Sequence, residues 1–166
     1  FMPLFGLNNA TISIVAYNYG ARRPDRMIKT LKVACATAFS VMILGLLAFQ
    51  LIPEVLLSMF NASDTFMELG KRALRTISFH FPLAAFCIAL GASFQALGNG
   101  IYSTITSLCR QMIALLPAAY LLSLTGNVNA VWWSFPIAEF VSLAATIFFF
   151  VRIYRKKIKP LCQTAV

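Results

Sequence analysis

The chain has 166 residues, of which 60% are hydrophobic and only 11% charged, with a formal net charge of +9. So few charged side chains cannot cover a soluble domain of this size, which argues against a soluble enzyme or binding module. The positive excess alone would fit a nucleic-acid binder, but its distribution excludes that partner. Arg22, Arg23, Arg26, Lys29 and Lys32 fall in one connection, and Arg152, Arg155, Lys156, Lys157 and Lys159 follow the last apolar stretch. With Arg110 these share one side of a membrane if the spans alternate, leaving Lys71, Arg72 and Arg75 on the other. Clustered cations of this kind mark the cytoplasmic side.

Taken in chain order, residues 1–19 read as the end of a first span, closed by Asn18-Tyr19-Gly20-Ala21 with Gly20 as the helix stop. The chain opens on Phe1 in mid-pattern, with no leader or cleavage site, and reads as a piece of a longer protein. A basic loop over residues 22–32 follows, with Asp25 its single acid. Residues 33–52 form a second span ending at Pro53. Residues 54–75 form the longest polar connection. Within it, Thr65 and Glu68 fit a capping box, and Glu68 is placed to pair with Lys71 and Arg72 on a short surface helix. Spans over residues 76–97 and 101–124 are separated by the tight turn Gly98-Asn99-Gly100, and a fifth covers residues 130–151. Trp132 and Trp133 sit at its outer interface. Each complete stretch meets the length of about 20 helical residues that a hydrocarbon core of about 30 Å requires. The fold class is therefore all-α, a polytopic transmembrane bundle over residues 1–160, with a basic cytoplasmic tail over residues 152–166.

Ionisable residues inside a bilayer are costly and are functional candidates. Glu139 lies about two turns below the outer interface at 1.5 Å per residue, and His80 about one turn deep, so the two are close enough in depth to interact. A carboxyl at that depth is able to hold and release a proton. Arg110 lies about 9 Å inside the opposite face, where its side chain snorkels outward and Gln95 is placed to accept a hydrogen bond from it as a structural clamp. The depth offset between Arg110 and Glu139, also about 9 Å, predicts no direct bridge. Pro82, Pro117 and Pro136 fall within spans, where each frees a carbonyl and permits a bend; they are hinge candidates. Phe79, Phe81, Phe86 and Phe94 offer ring faces to flat cations or simply face lipid. Cys35, Cys87, Cys109 and Cys162 lack metal-ligand spacing and read as free thiols. There is no phosphate loop, metal-binding helix or nucleophile–base pair, so the chain reads as no enzyme and calls for no cofactor.

One series of segments carries a family resemblance: Pro3-Leu4-Phe5-Gly6, residues 15–23, residues 94–100, residues 107–111, residues 116–120 and residues 131–139, in the right order and spacing. With these the chain resembles the C-terminal lobe of multidrug and toxic compound extrusion (MATE) transporters, within the wider group that includes lipid-linked sugar flippases. The resemblance implies helices eight to twelve of a twelve-helix, two-lobe fold, whose missing N-terminal lobe belongs to the same chain. It implies a multi-pass protein of the inner (plasma) membrane that exports cationic or aromatic small molecules in exchange for protons or sodium ions. Some members carry an acid near residues 95–99; here Gln95 and Asn99 stand there, which weakens sodium coupling. Glu139, His80, Gln95 and Asn99 are the candidates for a proton or substrate pathway. A lipid-linked sugar flippase would need a more cationic cleft than Arg110 and His80 provide, and a non-transporting scaffold or receptor would show no gradient-dependent flux.

Overall fold

The computed structural model describes residues 1–60 and 64–164. Among them the chain is helical throughout: α1 (Met2–Gly20), α2 (Pro24–Leu51), α3 (Pro53–Ser58), α4 (Asp64–Ser78), α5 (Phe81–Ala96), α6 (Gly100–Leu108), α7 (Leu116–Ser123), α8 (Val128–Val131), α9 (Ser134–Ile153) and α10 (Lys159–Thr164). Two π-helical stretches, Cys109–Leu115 and Tyr154–Ile158, join α6 to α7 and α9 to α10 without a break.

All seven prolines fall in the first turn of a helical segment: Pro3, Pro24, Pro53, Pro82, Pro117, Pro136 and Pro160. A helix's first N–H groups have no internal partner, so a missing one costs little there. Pro82 and Pro136 thus lie near the starts of their spans, and Pro117 lies within the continuous helix Gly100–Ser123. Pro82 opens α5 after a break at Phe79 and His80, where residues 65–78 and 81–96 meet at 47°. Pro136 lies in the first turn of α9. Pro117 and Pro160 each follow a π-helical stretch by two residues. Proline has no N–H to offer the carbonyl one turn back, and widening the ladder to i+5 accommodates that loss.

Three helices are long and apolar enough to cross a membrane: Pro24–Leu51, Gly100–Ser123 and Val128–Cys162. The bent pair Thr65–Ser78 and Phe81–Ala96 makes a fourth if taken as one span. The helix at the start of the chain, read as a fifth, does not pass the same test. It carries Asn8, Asn9, Thr11, Ser13 and Asn18, and several of these bond back to their own helix, as Thr11 does to the Leu7 carbonyl at 2.7 Å.

Several boundaries differ from expectation. The basic loop is only three residues long, because Pro24 starts α2 and places Arg26, Lys29 and Lys32 on a helix. The left-handed turn residue there is Arg22, at φ 52°, rather than Gly20. The basic tail is a continuation of the last helix. Its Lys157 Nζ donates to the Leu97 carbonyl at 2.6 Å, and Ile158 is fully buried. Thr65 lies inside the first turn of α4, so it does not cap the helix, and residues 61–63 are outside the described range. Lys71 pairs with Glu54 at 2.8 Å rather than with Glu68.

The helix α5 is central, packing against α1, α2, α6 and α9. Its buried face carries Ala84, Ala85, Ala89, Ala92 and Ser93. Small residues let neighbouring backbones approach, which matters in lipid because association there rests on packing rather than on exclusion of water. At the basic end Val15, Met27, Leu31, Phe94, Leu97, Ile153 and Ile158 form one cluster. At the other end Leu4, Ala38, Met42, Phe81, Ala85 and Ala89 form a second. The polar residues lie between α1, α5, the α6–α7 helix and α9.

Candidate polar cavity

Four polar side chains of α9 are buried: Ser134, Glu139, Ser142 and Thr146. The last three stand at i, i+3 and i+7, which puts them on one helical face. Glu139 is 3% exposed. Its Oε2 lies 3.7 Å from Nη1 of Arg110, while its Oε1 is buried without a hydrogen-bond partner. This pairing corrects the expectation of no bridge. The depth estimate assumed two straight α-helices, whereas Arg110 sits in the π-helical stretch and extends a long side chain.

Glu139, Arg110 and His80 line one cavity of about 320 Å³, walled by Phe1, Phe5 and Phe135. The His80 ring lies between two of these, stacked with Phe1 at 6.1 Å and with Phe135 at 6.0 Å between centroids. Its Nδ1 donates to the Ile77 carbonyl, which leaves Nε2 as the acceptor in the neutral ring. The break before Pro82 makes this possible, because it turns His80 inward between α4 and α5. His80 and Glu139 are thus brought to one cavity, as their depths predicted.

A second cavity of about 150 Å³ shares Arg110 and Phe5 with the first and continues towards the basic end along Asn8, Gln95, Ser103, Ser142 and Thr146. Such a space is polar and roomy enough for water. Gln95 lines it but does not accept from Arg110; its Nε2 donates to Ser103 Oγ at 3.1 Å. Asn99 does not line either cavity. It precedes α6 at the turn, its Nδ2 donating to the Leu97 carbonyl at 3.1 Å. Of the four rings proposed to meet a flat cation, none lines the Glu139 cavity; Phe81 and Phe94 are buried in the two apolar clusters. The residues that sequence reasoning missed are Asn8, Ser142 and Thr146, together with Phe1, Phe5 and Phe135 as wall. The spacing of Glu139, Ser142 and Thr146 is a legible signal for the α9 pair. Among the described residues no group of three His, Cys, Asp or Glu is placed to hold a metal, and all four cysteines are free thiols.

Comparison with known proteins places this geometry. The MatE family profile matches residues 1–121. No curated protein matches. Among solved structures, the MATE multidrug transporter DinF-BH, determined in complex with a ligand, is 32% identical with a TM-score of 0.83 over 95% of this chain and 35% of its own. An inward-facing multidrug resistance MATE family transporter of the MOP superfamily is 24% identical with a TM-score of 0.82, over 99% of this chain and 38% of its own. An outward-facing one is 23% identical with a TM-score of 0.82, over 98% and 36%. The chain spans little more than a third of the length of these transporters.

Proposed function

This chain belongs to the MatE family, a multi-pass membrane transporter family, and we propose that it forms most of one lobe of a secondary antiporter that exports cationic or aromatic small molecules in exchange for protons. The observation that carries this reading is the buried Glu139, which has one oxygen on Arg110 and the other unpartnered in an aromatic-walled cavity. When Glu139 is ionised, the pair is neutral overall. A proton arriving on Glu139 removes the attraction and frees the guanidinium, giving the cavity two states whose balance the proton sets. Flat rings fit against Phe1, Phe5 and Phe135, and a cationic group on the substrate would compete with the proton for the carboxylate. Arg110 already supplies a fixed positive charge beside Glu139, which favours a proton over a sodium ion as the coupling species. Positive charge at the turn and tail end supports a cytoplasmic C-terminus.

The test uses the intact transporter in sealed vesicles, following a fluorescent cationic dye while a proton gradient or a sodium gradient is imposed separately. Proton-driven efflux is expected, and Glu139→Gln should abolish the dependence on the gradient and weaken binding of the cationic dye. Sodium-driven efflux, or gradient dependence that survives Glu139→Gln, would move coupling elsewhere.

A further inference from the structure

A third cavity, of about 360 Å³, opens on a different face of α5 from the polar cavities. Leu31, Lys32 and Cys35 of α2 form one wall, Phe150 and Tyr154 of the last helix the other, and Leu90 of α5 the floor. The surfaces are apolar apart from the Lys32 ammonium and the Tyr154 hydroxyl; Lys32 is exposed and, among the described residues, joined in no ion pair. At the basic end α10 packs on α2. Around that end lie Arg22, Arg23, Arg26, Lys29 and Lys32 together with Arg152, Arg155, Lys156, Lys157 and Lys159, against the single acid Asp25.

We propose that this wedge is a binding site for an anionic phospholipid of the leaflet at the basic end. One acyl chain lies along Cys35, Leu90 and Phe150, and the phosphate meets Lys32 at the mouth. A wedge of this shape takes a flexible hydrocarbon chain, and a cation poised at its rim, within a field of like charges, recruits a negative headgroup. Charge selects the occupant: a zwitterionic lipid fills the same hydrocarbon volume but brings its own cation to Lys32. The site is independent of the Glu139 cavity and does not require the transport reading to hold.

The test is native mass spectrometry of the intact protein in detergent, titrated with phosphatidylglycerol and, separately, with phosphatidylcholine of the same chains. Preferential retention of phosphatidylglycerol is expected. Lys32→Gln should weaken it about fivefold, the factor for loss of one cation at the headgroup, whereas Lys29→Gln, one turn away and outside the wedge, should leave it unchanged. Cys35→Phe, which fills the wedge without changing any charge, should also release the lipid. Excess inorganic phosphate should not displace it. Equal retention of both lipids, or equal weakening by the Lys32 and Lys29 variants, overturns the site and leaves a diffuse basic surface. Retention unaffected by Cys35→Phe overturns it as well, because the wedge would then hold no chain.

Discussion

Nη1 of Arg110 stands 3.7 Å from Oε2 of Glu139, joining the π-helical stretch after α6 to the first half of α9. The Glu139 side chain is almost wholly buried, while that of Arg110 is 36% exposed and lines both polar cavities. The unequal burial means that the two partners do not depend on each other equally. Removing Arg110 strands a buried charge, whereas removing Glu139 leaves a cation that still reaches water.

Arg110→Met should therefore destabilise the protein by about 2 kcal/mol, below the range for a fully buried pair because Arg110 is partly solvated. Adding Glu139→Gln to that variant should recover most of the loss. Thermal melting in detergent of the two single variants and the double measures this. Additive losses would show that the pair has no coupling.

Pro117→Ala returns an N–H to the ladder just where the π-helical stretch ends. The expected outcome is unchanged expression with slower export, because an uninterrupted α-helix would re-aim Arg110 relative to α9. Dye efflux rates in vesicles decide it, and rates equal to those of the unaltered protein would discard the role of this segment.

At the opposite end Lys71 holds the Glu54 carboxyl below the ordinary carboxylate range, first through their hydrogen bond and then by charge. A lowered folded-state pKa contributes stability above the unfolded value and loses it as pH falls through the folded one. The contribution is small because Glu54 is exposed, and salt weakens it. The melting temperature of the unaltered protein should exceed that of Lys71→Met at neutral pH and low salt. The gap should close on acidification through the carboxylate range, and a constant gap would assign the difference to packing of the Lys71 stem.

Gly98 adopts φ +73° in the turn between α5 and α6, where it donates to the Gln95 carbonyl at 3.0 Å. Although open space surrounds the position of an added Cβ, Gly98→Ala should cost about 1 kcal/mol through the left-handed backbone alone, and Gly98→Asn less. Melting curves rank the three; equal stabilities would show that the turn changes conformation to suit the side chain.

The sequence by itself determined that the chain is helical and membrane-spanning, since long apolar stretches and clustered cations require no knowledge of contacts. It also singled out Glu139, His80 and Arg110, because an ionisable group within an apolar stretch is visible in one dimension. Tertiary structure alone decided which of them meet. Depth along straight helices kept Arg110 from Glu139, but the π-helical stretch and the length of the arginine side chain brought them together. The places of Pro82 and Pro136 near span starts were legible, whereas the π-helical stretch before Pro117 was not, because a locally widened ladder leaves no mark on an apolar run. The sequence marked residues 152–166 only as a basic cytoplasmic tail. Only packing could show that Ile158 is buried and that Lys157 reaches the Leu97 carbonyl, since that contact joins residues sixty positions apart in the chain.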